Sequence, residues 1–269
     1  RGYGGGPGGA LLCLLAAGEL VLRGMATAVQ HHHPSPGRVV VVGGGVIGTS
    51  IAYQLSRRGV GVTVVERESL AAAASGKAGG FLALDWNDGS PTEQLTRLSF
   101  RMHEELAADL AAALPDKGDV NYRRLWCETI SVSGRASTCT ATEEHEWVDT
   151  GIVAARQMGD ESTIAQVHPR LLTEAMMAAA EQGAGAEVRI GTVQDVLTQP
   201  AEEGQDPKVR AVVVDGEEIP ADHVVIAAGP WSSEVAQGLG LPPIYGQKYH
   251  SILVRPRSGR GYTSGSPRP

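Results

Sequence analysis

The 269-residue sequence has no Cys-x-x-Cys pair; its three cysteines, Cys13, Cys127 and Cys139, are odd in number and far apart. That argues against a disulfide framework and a cysteine zinc site, and it reads most simply as a reducing compartment, hence the cytoplasm. A basic run is missing too, and a formal charge of -7 gives no electrostatic footprint for nucleic acid or an anionic membrane. No Gly-x-Ser-x-Gly turn and no metal-ligand spacing occur, which removes the usual residues for hydrolase and metal chemistry. His31, His32 and His33 stand together, but no second cluster converges on them, so they read as part of a solvated leader. The apolar run at residues 10–18 is broken by Glu19 and is well short of the roughly 20 residues of a membrane span. Met25 lies shortly before the first strand, so residues 1–24 are expected to precede the natural start or to belong to a targeting extension. In the second case an organelle replaces the cytoplasm.

What the chain does have is the composition of an ordinary globular protein, 42% apolar and 20% charged. Residues 38–42 are a β-branched run bounded by glycine, as in a strand buried on both faces of a parallel sheet. Residues 46–58 read as a helix stopped by Gly59, and residues 61–66 as the next strand, which makes a right-handed crossover. Ser90, Pro91 and Glu93 predict a capped helix start, followed by one apolar stripe of Leu95, Leu98, Met102, Leu106, Leu110 and Leu114. Antiparallel strands are expected at 120–124 and 126–133, and a helix at 169–182 between Pro169 and Gly183. Further strands are expected at 187–192, 208–214, 223–226 and 249–254, with a helix from Pro230 to about Leu239. A second strand running into small residues, Ala227-Ala228-Gly229, implies that later chain completes the first sheet and that another domain is inserted.

Gly43-Gly44-Gly45-Val46-Ile47-Gly48 fits Gly-x-Gly-x-x-Gly, and each glycine has a physical task. Gly43 makes the tight turn, Gly45 lets backbone approach a pyrophosphate, and Gly48 lets helix pack on strand. The helix amino end then offers unpaired N–H groups and partial positive charge to the phosphates. Glu66, 18 residues after Gly48, ends the second strand, where its carboxylate can accept both ribose hydroxyls and repel a 2′-phosphate. NADP is thereby disfavoured. The first unit alone does not separate NAD from FAD, but the interrupted sheet and the late Ala-Ala-Gly turn favour a flavoprotein.

These residues, with Ala52, Leu55 and Gly59, then Ser75-Gly76-Lys77-Ala78-Gly79-Gly80, Val167-His168-Pro169 and residues 225–232, resemble a known superfamily. It is the FAD-dependent oxidoreductases of the D-amino-acid oxidase, glycine oxidase and sarcosine oxidase type. The resemblance covers residues 38–256 and is nearest to the little-characterised oxidoreductases of plants and fungi. It implies that Gly43, Gly45, Val46, Ile47, Gly48, Glu66 and Arg67 hold the ADP half of FAD. It also implies that Ser75, Gly76, Lys77, Ala78, Gly79 and Gly80 run along the pyrophosphate and flavin. Val193 would touch the adenine side through its backbone, and Ala228, Gly229 and Trp231 would close the site. Gln247, Tyr249 and His250 would face a substrate. Val193 reads equally as core, and Gln247 as a polar residue at a strand edge.

The implied fold is α/β. A Rossmann-type FAD-binding domain, a mostly parallel sheet with helices on both faces, is expected from residues 38–90 and 160–242. It is interleaved with an antiparallel β-rich substrate portion from residues 91–159 and 243–256, between a disordered leader (1–37) and a disordered tail (257–269). The implied reaction oxidises the carbon–nitrogen bond of a small amine or amino acid by hydride transfer to flavin, with dioxygen as one reoxidant, giving hydrogen peroxide. No catalytic residue is indicated; an amine that enters neutral needs no strong base. Two other readings stay open: an FAD-binding regulatory or interaction protein, and an NAD-linked dehydrogenase. The family pattern dissolves after Pro256, so we expect a C-terminally truncated chain with weak FAD retention and poor turnover.

Overall fold

The computed structural model describes residues 37–132, 152–200, 207–237, 239 and 242–252, all but Gly37 within the unit Arg38–Pro269. The expected leader with its three histidines, residues 133–151, and the expected tail lie outside the described residues. Among the described residues no helix is long and apolar enough to cross a membrane.

The first strand, β1 (Val39–Val42), lies between two parallel neighbours, β2 (Val62–Glu66) and β12 (His223–Ile226). A further parallel strand, β8 (Glu187–Ile190), pairs with β2, giving the order β12-β1-β2-β8. Four consecutive valines suit β1 because both of its faces are covered, and all four are buried. Val39 and Val41, with Val62 and Val64, pack on helices α1 (Val46–Ser56) and α3 (Pro169–Gln182). Val40, Val42 and Val65 face the opposite way.

That opposite face is covered mainly by an antiparallel sheet, where the sequence suggested helix. Strands β9 (Val193–Gln199), β10 (Lys208–Val214) and β11 (Glu217–Pro220) form it, and Val212 and Val214 pack against Val40, Val42 and Val65. Only the short α4 (Ser232–Val235), through Val235, adds helix to that cluster. β9 and β11 were not expected, since polar residues that one solvated face tolerates interrupt their apolar pattern. The expected helix through Leu239 shrinks to this one turn.

α3 has the expected bounds. His168 Nδ1 accepts the Leu171 N–H (3.3 Å), Pro169 sits in the first turn, and Gly183 ends the helix. Ser56, buried at the end of α1, donates to the Ala180 carbonyl and accepts from the Ala184 N–H, both at 2.9 Å, and so joins the two helix ends. At the amino edge of the sheet, Arg38 donates its backbone N–H (2.8 Å) and two guanidinium N–H groups (3.0 and 2.9 Å) to Asp222. These hydrogen bonds from Arg38 hold the Asp222 carboxyl down to about 2.

The long helix, α2 (Glu93–Ala113), starts later than expected. Ser90 caps a turn before it, accepting the Thr92 N–H on Oγ (3.2 Å), while Glu93 reaches back to the Gly89 N–H (2.9 Å) instead of that of Ser90. Its predicted stripe divides. Leu110 and Leu114 are buried, whereas Leu95, Leu98 and Met102 are 67%, 49% and 48% exposed, because only the carboxyl half reaches the core. Phe100 is buried instead, under the Arg124 guanidinium.

The remaining strands are antiparallel. β3 (Phe81–Ala83), β7 (Ile164–Gln166) and β4 (Arg123–Arg124) form one sheet, in the order β3-β7-β4. β5 (Cys127–Val132) and β6 (Ile152–Gly159) pair as a two-stranded sheet. The strand expected at 249–254 is not found over 249–252. Residues 242–252 are exposed and carry no regular structure, so the expected strand has no partner among the described residues.

Candidate nucleotide site

Parallel strands bring their carboxyl ends to one edge, and β12-β1-β2-β8 does so with β1 inside. In open sheets of this kind, ligands lie outside the carboxyl ends, where the chain crosses to opposite sides. The glycine turn sits there. Gly43 continues the ladder by donating to the Val65 carbonyl (2.8 Å), and Ala227 donates to that of Val42 (2.8 Å). Gly43 has φ +111°, and a Cβ there would run into the Ala227 carbonyl. A Cβ on Gly48 would overlap the Gly43 carbonyl oxygen, so α1 packs directly on the turn as the motif predicts. On Gly45 a Cβ would meet only Ser75 Oγ (3.1 Å), which leaves its backbone approachable from the crevice.

The first hydrogen bond within α1 runs from the Thr49 N–H to the Gly45 carbonyl (3.0 Å). The N–H groups of Val46, Ile47 and Gly48 therefore emerge at the amino end, where they and the helix dipole favour an anion. Val46 donates to Ser75 Oγ (2.9 Å), and Ile47 is 63% exposed at the mouth. No acidic side chain lies in the first turn of α1 to compete for those groups.

Glu66 turns into this crevice. Its Oε2 accepts the Gly44 N–H (2.7 Å) and its Oε1 the Glu68 N–H (3.0 Å), so each oxygen is oriented by backbone and keeps acceptor capacity. Gly44, treated by the sequence pattern as a free position, is thus part of the site. A Cβ there would press on Glu66 and Leu70, and its carbonyl accepts from Ala71, a buried residue with φ +56°. Three glycines in a row hid this role, because the motif asks only for the first and the third.

The small-residue loop begins at a 3-10 turn, Ala74–Gly76, which sets Ser75 against the amino end of α1. Lys77, Ala78 and Gly79 are exposed, the Gly79 carbonyl accepts from Gln166 Nε2 (2.9 Å), and Gly80 accepts the Val167 N–H (3.0 Å). Gly76 packs near Arg170. On the other side of the turn, Ala228 leads into the 3-10 turn Gly229–Trp231, and the Arg67 guanidinium lies 4.8 Å from the centre of the Trp231 ring. Val193 is paired with Val214 and packs against the second core cluster. Gln247, Tyr249 and His250 are exposed, Tyr249 at 80%, and form no hydrogen bond with the crevice residues. The structure thus brings together the residues of the first crossover, Ser75 and Trp231, and does not bring the three substrate-side candidates to them.

The crevice thus combines a close-packed glycine turn, a helix amino end with no acidic side chain in its first turn, and a carboxylate oriented by two backbone N–H groups. Comparison with known proteins reaches most of the chain. A family model described as FAD dependent oxidoreductase (DAO) matches residues 38–269. An oxidoreductase of Schizosaccharomyces pombe is 30% identical over 235 residues, covering 80% of this chain and 59% of that protein. A glycine oxidase of Geobacillus kaustophilus is 24% identical over 232 residues, covering 81% of this chain and 61% of its own length. The solved glycine oxidase of Bacillus cereus superimposes with a TM-score of 0.60 at 26% identity, covering 75% of this chain and 57% of that one. The chain spans about three-fifths of the length of these relatives. It belongs to the FAD dependent oxidoreductase family, whose cofactor is FAD.

Proposed function

We propose that the protein oxidises the carbon–nitrogen bond of a small amine or amino acid. The observation that carries the nucleotide half of this reading is the meeting of the Gly43 turn, the amino end of α1 and Glu66 at the carboxyl edge of the parallel sheet. In this reading Gly43, Gly45 and Gly48 let the pyrophosphate lie against the amino end of α1, at the Ile47 N–H and beside Ser75, which holds the N–H of Val46. Glu66 accepts the ribose hydroxyls through the acceptor sites that Gly44 and Glu68 leave free, with Gly44 fixing its direction. Ser75 holds the loop of residues 75–80 beside the phosphates, and Ala228, Gly229 and Trp231 border the opposite side. Val193 supports the adenine end from the core.

FAD, when bound, supplies the two-electron acceptor that such an oxidation needs. Support for the amine substrate comes from the relatives, since two of those named are glycine oxidases. We propose residues 38–90 and 160–242 as the cofactor-binding portion and residues 91–159 and 243–256 as part of a substrate portion. The reading is tested by adding FAD to the purified protein and screening amino acids and N-methyl amines for dye reduction or peroxide release. A flavin spectrum that needs added FAD to persist, and slow reduction by at least one amine, are expected. Retention of FAD with no amine reducing it would leave only a binding protein, and a bound nucleotide without flavin absorbance would overturn the reading.

A further inference from the structure

The exposed stretch of the small-residue loop is tied down by one side chain. Lys77 and Ala78 turn their N–H groups back to the Ala74 carbonyl (both 3.1 Å), and the loop leaves through Gly80, which accepts the Val167 N–H and has φ +69°. Among the described residues, only Gln166 reaches residues 77–79 with a side-chain hydrogen bond, donating from Nε2 to the Gly79 carbonyl (2.9 Å). Gln166 lies on the central strand of β3-β7-β4, opposite Phe81 on one side and Arg123 on the other, so its amide and the Arg123 guanidinium share a face. Arg123 donates to Gln166 Oε1 and also to the Asn121 carbonyl (3.4 Å). A guanidinium has no acceptor and a carbonyl no donor, so these partners allow the amide one orientation: oxygen to Arg123, NH2 to Gly79.

We propose that Gln166, oriented by Arg123, is a positioning residue for the flavin half of the cofactor. The inference rests on the FAD reading above and goes beyond its ADP half. Ser75 sets the loop entrance at the amino end of α1, where the pyrophosphate is placed, so residues 77–79 lead from there towards the flavin. Fixing the Gly79 carbonyl fixes that far end. Arg123 stands on β4, in the portion proposed for substrate, and Gln166 on β7, in the cofactor portion. The clasp therefore makes the flavin end of the loop depend on the substrate portion.

Gln166→Glu keeps the side-chain shape and the pairing with Arg123 but turns an acceptor towards the Gly79 carbonyl. It is tested by titration with ADP and with FAD, and by the rate of tryptic cleavage after Lys77 in nucleotide-free protein, read by mass spectrometry. FAD affinity falls about two- to tenfold, the effect of one hydrogen bond, while ADP affinity stays at the parent value. Cleavage after Lys77 rises by a similar factor, since proteolysis follows the population of the opened loop. Arg123→Met moves both readouts the same way, and Arg123→Lys, which retains a donor, returns them towards the parent. Should Gln166→Glu not fold, the comparison of Arg123→Met with Arg123→Lys decides. A merely structural role would weaken ADP and FAD together, and that result, or FAD affinity or Lys77 cleavage left at the parent value, would overturn the proposal. A parent that binds neither ADP nor FAD overturns the cofactor reading and the proposal with it, which the ADP titration separates from a failure of Gln166 alone.

Discussion

Replacing Glu66 by glutamine keeps the shape of the side chain and removes its charge. In the parent, one carboxylate oxygen accepts from Gly44 at 2.7 Å and the other from Glu68 at 3.0 Å. An amide offers one acceptor oxygen, so whichever way it turns, its NH2 faces a backbone N–H and one charge-assisted hydrogen bond is lost. The same exchange removes an acceptor from the ribose. A hydrogen bond to a charged group contributes about 1.5–3 kcal/mol. Affinity for ADP should therefore fall about 10- to 100-fold, the range given by about 1.4–2.8 kcal/mol. Calorimetric titration with ADP and with 2′,3′-dideoxy-ADP reads this directly. The parent should prefer ADP by at least about tenfold, since the dideoxy ligand lacks both hydroxyls that Glu66 accepts, and Glu66→Gln should lose most of that preference. A folded Glu66→Gln that binds ADP as tightly as the parent, or a parent indifferent to the ribose hydroxyls, would refute the role assigned to this carboxylate.

Two further outcomes separate local strain from site geometry and from surface charge. Gly48→Ala forces α1 away from the Gly43 carbonyl, an overpacking cost of about 1–3 kcal/mol that also displaces the phosphate-facing N–H groups. Gly59→Ala has open space and only its left-handed backbone, φ +79°, to pay for, about 1–2 kcal/mol. Thermal melts should show both variants destabilised, but only Gly48→Ala should lose FAD in an equilibrium binding assay; equal loss in both would contradict the packing argument. Asp222 sets the pH dependence at the opposite edge of the sheet. Its folded carboxyl, held at about 2 by Arg38, lies below the ordinary carboxylate value, so its contribution is present above about pH 4 and is lost as pH falls through about 2. The melting-temperature gap between the parent and Asp222→Asn should shrink over that interval, and a gap constant with pH would count against the pairing.

The crossover was legible because its signals are local. A valine run needs cover on both faces, the three motif glycines mark a turn and a close helix, and Pro169 and Gly183 bracket α3. Segments whose fate depends on distant partners were not legible. The heptad-like leucines of α2 gave one stripe, yet only its carboxyl half meets the core around Met176 and Leu172. Residues 249–252 carry aromatic and branched side chains that suit a strand and find no ladder among the described residues, while the mostly polar β9 and β11 do.

By itself the sequence determined that a glycine turn would open a helix and that an acid would end the following strand, since covalent spacing and backbone sterics act within a few residues. Tertiary structure alone decided that Gly44 orients Glu66, that Ser75 meets the first N–H of α1, and that Arg67 reaches across β1 to Trp231. Those contacts join segments up to 164 positions apart, Arg67 to Trp231, and direction across such a span is set by how the strands pack side by side rather than by any pattern along the chain.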